Sequence, residues 1–197
     1  MKLEIKKMLM NRSERVKCVD MHPSMPWVLI SLYSGNVSIF DYEQQSQVRS
    51  IEVTNAPVRV AKFITRKQWI VVGADDNKIR IYNYNTSEKI KTIDDHQDYI
   101  RHIVVHPNLP YILSCGDDVT IRMFDWDKNW QRVNNFQDHQ HYIMQLAINP
   151  KETTMFASAC LDGLIKIWTV GTQKSTANYT LSGHQVGVNC VDFCGDQ

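Results

Sequence analysis

Residues His139 to Thr169, HQHYIMQLAINPKETTMFASACLDGLIKIWT, contain a histidine, a strand-like run, an Asn-Pro turn, the small-residue strand FASAC, the turn LDG and the run LIKIWT. Strand, turn, strand, turn, strand within about thirty residues reads as one antiparallel unit, because short strands joined by tight turns fold back on their neighbours.

The unit recurs. Apolar strand starts fall at Val16, Val58, Ile100, Ile143 and Val188, spaced 42, 42, 43 and 45 residues apart. A second column reads Phe40-Asp41, Tyr82-Asn83, Phe124-Asp125 and Trp168-Thr169. A third reads His22-Pro23, Ile64-Thr65, His106-Pro107 and Asn149-Pro150, and a fourth holds the turns Ser34-Gly35, Asp76-Asn77, Asp118-Val119 and Asp162-Gly163. Four columns keeping step define an internal repeat, and a repeat governs the fold.

Composition narrows the rest. The formal charge of +1 excludes the dense basic field that bulk nucleic-acid binding needs. Cys18, Cys115, Cys160, Cys190 and Cys194 form no CxxC pair, and four of them sit in apolar runs. That pattern predicts buried reduced thiols and a cytosolic location. No apolar run reaches the ~18 residues that span a bilayer, and the start, MKLEIKKMLMNRSER, lacks a signal-peptide core.

A period of ~40–45 residues with four short strands, a Gly-His-like start and a Trp-Asp-like end resembles the WD repeat, which builds β-propellers. Gly183-His184, Asp95-His96 and Asp138-His139 carry the resemblance at the starts, and GADDNKIRIYN, CGDDVTIRMFD and CLDGLIKIWT carry it at the ends. It implies an all-β fold with about four complete four-stranded blades plus the first strand of a fifth, part of a larger ring. The expected boundaries, in one domain over 1–197, are a latch strand in 1–9, blades at 16–53, 58–93, 100–136 and 143–181, and a fifth beginning at 188–197. In this family a His, a strand Ser, the turn Asp and the Trp hydrogen-bond together. His139, Ser158, Asp162 and Trp168 can make that set, whereas His96, Ser114 and Asp118 meet Phe124, which has no N–H to donate.

An antiparallel meander puts the residues flanking each first strand beside the turn between the second and third strands. The residue after each start is Lys17, Arg59, Arg101 and Met144, and the residue before it is Arg15, Pro57, Tyr99 and Tyr142. Two before it lie Glu14, Ala56, Asp98 and His141, and the turns contribute Tyr33, Asp75, Asp117 and Leu161. Blades one to three therefore gather four cations with Asp75, Asp98, Asp117 and Tyr33 on one rim. Such a rim suits a peptide with an anionic end and cationic side chains, since both make charge-assisted contacts.

Other chemistry is poorly supported. His139-Gln140-His141 has no acidic or Cys partner at metal-ligand spacing, so no metal or cofactor is expected. Asp-His pairs recur without a nucleophile on a strained elbow, which argues against an enzyme.

With SERVKCVDMHPSMPWVLISLYSGNV, PVRVAKFITRKQWIVVGADD, HQDYIRHIVVHPNLPYILS, GADDNKIRIYNYNT and DWDKNW, the chain also resembles the β′ family of coatomer subunits, from the COPI vesicle coat. That resemblance implies a seven-bladed amino-terminal propeller that reads carboxy-terminal dilysine signals on the cytosolic tails of membrane cargo, returning it from Golgi to endoplasmic reticulum. It implies that Arg15, Lys17 and Arg59 hold the terminal carboxylate, and that Asp98 and Asp117 bind a lysine ammonium with Tyr33 along its stem. Asp75 and Arg101 share the columns without an implied role. Implied partners are the dilysine tails and other coat subunits, the α subunit in particular, at the periphery of Golgi membranes and vesicles. The alternative is a scaffold propeller that packs on coat subunits or binds ubiquitin.

Overall fold

The computed structural model describes Met8 and residues 15–172 and 174–194. The latch strand expected in 1–9 lies outside the described residues apart from Met8, and Glu14 lies outside them entirely.

Among the described residues, sixteen strands form four separate sheets, each a four-stranded antiparallel meander in chain order. The first sheet holds β1 (Val16–Met21), β2 (Trp27–Leu32), β3 (Asn36–Asp41) and β4 (Ser46–Glu52). The second holds β5 (Val58–Ile64), β6 (Trp69–Ala74), β7 (Lys78–Asn83) and β8 (Lys89–Asp94). The third holds β9 (Ile100–Val105), β10 (Tyr111–Gly116), β11 (Ile121–Asp125) and β12 (Gln131–Phe136). The fourth holds β13 (Ile143–Ile148), β14 (Met155–Cys160), β15 (Ile165–Thr169) and β16 (Tyr179–Leu181). The one helical element among the described residues is a 3₁₀ turn at Thr65–Lys67.

The sheets stack face to face as propeller blades, and strand alternation sends side chains to both neighbours. In β6, Ile70, Val72 and Ala74 pack toward the first sheet while Val71 packs toward the third. In β10, Ile112 faces the second sheet while Leu113 and Cys115 face the fourth. Burial on both faces explains why second strands such as WIVVGA and FASAC read as unbroken apolar runs. The last strands, β4 and β8, are mostly exposed and mark the outer edge.

The first strands of adjacent blades, and β13 with the segment after the fourth blade, are bridged by side chain to backbone. Phe63 N–H donates to Asp20 Oδ2 at 2.9 Å, Leu146 N–H to His102 Nδ1 at 3.3 Å, and Val191 N–H to Gln145 Oε1 at 2.9 Å. This seam lets the inner strands meet without a shared ladder.

Two expectations are corrected. Val188 to Cys194 carry no strand: Val188 donates its N–H to Cys160 O at 2.9 Å, but no described strand lies alongside to form a ladder. Cys190 is accordingly exposed rather than buried, as is Cys194, whereas Cys115 and Cys160 are buried.

Candidate functional site

Each blade builds its rim in the same way. The first strand starts with a bulge, and the extra residue is Lys17, Arg59, Arg101 or Met144, each skipped in the pairing with the second strand. A bulge releases one residue from the ladder and re-aims its side chain. The adjoining turn is tied back by the backbone: Tyr33 N–H donates to Arg15 O, Asp75 to Pro57 O and Asp117 to Tyr99 O, all at 2.9 Å, and Leu161 to Tyr142 O at 3.0 Å. Rim columns far apart in sequence are thereby hydrogen-bonded neighbours.

Side chains then pair across these columns. Arg59 grips Asp75 with two parallel bonds, one from Nε to Oδ1 and one from Nη2 to Oδ2 at 2.7 Å. Arg101 grips Asp117 likewise, with Nε donating to Oδ1 at 2.6 Å and Nη2 to Oδ2. The carboxylates are deep, at 9% and 5% side-chain exposure, and their arginines are only 19% and 20% exposed. The hydrogen bond from Arg101 to Asp117 raises the guanidinium pKa further, against the opposing effect of burial. Blade one has Lys17 and Tyr33 at these positions, and blade four has Met144 and Leu161.

Aromatic rings cover the guanidinium groups. Arg15 lies 5.6 Å from the Tyr33 ring centroid, Arg59 5.7 Å from Tyr99, and Arg101 5.9 Å from Tyr142. The last two rings belong to the following blade, so each stack crosses a blade boundary. Tyr33, Tyr99 and Tyr142 are all exposed. Asp98 accepts the Tyr99 N–H at 2.7 Å. Among the described residues, Arg15, Lys17 and Asp98 have no ion-pair partner, so the open charge is positive on blade one and negative on blade three.

Of the expected site residues, the structure puts Arg15 against Tyr33, leaves Lys17 exposed, and places Arg59 and Asp117 inside ion pairs. Asp75 and Arg101, given no role from sequence, are the partners in those pairs. The available signal was a spacing of 16 residues between opposite charges in two successive repeats.

His139 Nδ1 lies 2.8 Å from Asp162 and its Nε2 lies 2.7 Å from Ser158 Oγ, which also accepts the Trp168 indole N–H at 2.8 Å. Burial pushes the His139 imidazole down, more than Asp162 raises it, so a neutral ring donates from Nδ1 and accepts the Ser158 hydroxyl at Nε2. Asp162 is held below the usual carboxylate range by hydrogen bonds from His139 and the Gln140 and Leu164 amides, which outweigh burial. Blade three repeats the set, His96 contacting Asp118 at 2.8 Å and Ser114 at 2.7 Å, with Phe124 in place of the indole. Burial raises Asp118, but hydrogen bonds from His96, Gln97 and Thr120 hold it well below its ordinary value. Blade two has no histidine here, and Asp76 instead accepts Thr54 Oγ1 at 2.8 Å and pairs with Arg80 at 2.6 Å.

Ser158, His139 and Asp162 look like a hydrolase triad, but Ser158 is 0% exposed and its oxygen is occupied by Trp168. A nucleophile sealed in this way meets no substrate. One metal expectation is corrected, because Cys160 and Asp162 come within 4.8 Å of His139 although no partner was apparent from spacing. They arrive from the facing strand end and turn, a juxtaposition made by strand pairing. Both His139 nitrogens are already engaged, and burial pushes the Cys160 thiol up to about 12, so that it stays protonated.

Two cavities, of about 210 and 310 Å³, open at the other end of the first strands and share Asp20 and Phe63 in their linings. Asp20 is paired there with Lys62 at 3.0 Å, and Arg66 is spent on the carbonyls of His106, Asn108 and Leu109. The charged rim is thus a separate, open surface.

Stacked four-stranded meanders with a buried His–Ser–Asp–Trp set define a WD-repeat propeller, and residues 45–83, 87–125, 130–169 and 175–197 match the WD domain, G-beta repeat family. The chain belongs to that family. It is similar to coatomer subunit beta'-1 of Oryza sativa subsp. japonica (56% identical), to the putative coatomer subunit beta'-3 of the same plant (54%) and to coatomer subunit beta' of Mus musculus (51%). Each match covers 98% of this chain but 21% of the relative, so the chain spans about a fifth of the length of these proteins.

Proposed function

We propose that this chain is the cargo-reading part of a COPI coat subunit and that its rim binds carboxy-terminal dilysine tails of membrane proteins. In this reading Arg15, Lys17 and Arg59 receive the terminal carboxylate. Asp98 and Asp117 receive the lysine ammonium, with Tyr33 against its stem. The role is binding, without a catalytic step, on the cytoplasmic side of Golgi membranes and coat vesicles, together with other coat subunits such as the α subunit.

The observation that carries the reading is the polarity of the open charge. Arg15 and Lys17 on blade one and Asp98 on blade three form a dipole across the rim. A peptide end with a carboxylate and a nearby ammonium can satisfy both poles in one orientation only. The similarity to coatomer β′ subunits supports the coat-subunit part of the reading.

A titration with a dilysine tail, as free acid and as carboxamide, tests it. The acid is expected to bind, and both amidation and Lys17→Ala are expected to abolish binding. Equal affinity for acid and amide would refute the reading.

A further inference from the structure

The two bidentate ion pairs inside the rim set a problem that the proposed function leaves open. Arg59 and Asp117, two of the groups assigned to the ligand, already hold partners in the empty site.

Donor and acceptor counting shows what remains. Asp75 occupies Arg59 Nε and one hydrogen on Nη2, which leaves both Nη1 hydrogens and the second on Nη2 for an incoming carboxylate. Arg101 takes one lone pair from each Asp117 oxygen, which leaves one on each for an ammonium. Each pair is also held from outside its own contact. Tyr99 and Tyr142 lie against the guanidinium groups, and the Asp75 and Asp117 amides are tied to Pro57 O and Tyr99 O. Neither Arg59 nor Asp117 is free to search for a ligand. A fixed fork presents its unused edge without an ordering cost at binding, which is the gain from preorganisation.

Building on the dilysine reading, we propose that Asp75 and Arg101 are positioning residues: Asp75 aims Arg59 at the peptide carboxylate, and Arg101 aims Asp117 at the lysine ammonium. They determine specificity by dividing the rim. Blade two reads the carboxylate through Arg59–Asp75, and blade three reads the amine through Arg101–Asp117. Blade one lacks the second member, since Tyr33 stands where the carboxylate would be, so Lys17 supplies unfixed charge. Met144 and Leu161 put blade four outside the charge readout.

The test is a binding matrix on the purified protein. The probes are one dilysine tail as acid, the same tail as amide, and a third with the lysine three residues from its end replaced by norleucine. The chains are wild type, Asp75→Asn and Arg101→Gln. Asp75→Asn is expected to weaken the acid peptide by about tenfold, the scale of one charge-assisted hydrogen bond, and to shrink the acid-to-amide ratio. It should leave the lysine-to-norleucine ratio alone. Arg101→Gln is expected to do the reverse. A merely structural loss would lower both ratios together, and that outcome overturns the proposal. Tighter acid binding by Asp75→Asn would also overturn it, by showing Asp75 to be a competitor for Arg59. If wild type fails to discriminate acid from amide, the dilysine reading itself falls and this proposal with it. If wild type discriminates and the variants do so equally, only the positioning roles fall.

Discussion

Arg101 holds Asp117 through two parallel hydrogen bonds that span 16 residues of sequence but a single bulge-to-turn step in the blade. Arg59 and Asp75 repeat that relationship one blade earlier. Rim charge that reads as a loose cluster in sequence is thus organised pair by pair, and the scaffold beneath it can be probed independently.

The turn after each second strand needs a left-handed residue, with positive φ at Gly35, Asn77, Val119 and Gly163. Val119, at φ 62°, is the β-branched member of that series. Val119→Gly is expected to raise stability by about 1 kcal/mol, because left-handed backbone costs an L side chain that much. The denaturant midpoint measures it, and a lowered midpoint would show that Val119 packing outweighs the strain.

Gly116 ends β10 where an added Cβ would sit 2.1 Å from the Tyr99 carbonyl oxygen, which accepts the Asp117 N–H. Gly116→Ala is expected to cost roughly 1–3 kcal/mol through forced backbone movement. It should also weaken the dilysine binding proposed above, since the displaced carbonyl anchors the Asp117 turn. An unchanged thermal midpoint would contradict the close approach.

Trp168→Phe keeps most of the buried ring but removes the N–H donated to Ser158. A loss of about 1 kcal/mol is expected, near the net value of one hydrogen bond. His139→Ala should cost more, because it strands both Ser158 and Asp162. Equal losses from the two variants would mean that stranding Ser158 and Asp162 carries no added cost.

Acid should loosen the propeller as three of its imidazoles take up protons. Burial lowers the imidazoles of His22, His102 and His106, and Lys62 pushes His102 further, from 6.5 to about 4. Each folded pKa lies below the unfolded one, so the unfolded chain takes up protons first. This stabilisation is full above 6.5 and drains away as pH falls toward about 4. The physical cost is visible at His22 and His106, whose Nδ1 atoms accept turn amides: Met25 at 3.0 Å and Leu109 at 2.9 Å. Urea midpoints at pH 7.5 and 5 should differ, and His102→Gln should reduce the difference.

The architecture was legible because propeller strands are short, local and repeated. Val16, Val58, Ile100 and Ile143 begin first strands, and each starts an apolar run that recurs in register. The rim columns were legible for the same reason. The ion pairs within them were not, because periodicity places Arg59 and Asp75 on one face without saying that two side chains will close on each other. Val188 misled because its apolar neighbours match a first strand, yet a strand exists only where a ladder partner lies beside it. Cys160 beside His139 was equally hidden, since cross-strand register brings them together and no local spacing reports it.

Lys17, Arg59, Arg101 and Met144 are all extra to the ladder, so the pairing of first and second strands has the same form in all four blades whichever of these side chains stands there. Chemical variety is thereby concentrated in residues that the ladder does not use: Lys, Arg or Met stands at the same step of the blade while the first and second strands pair alike.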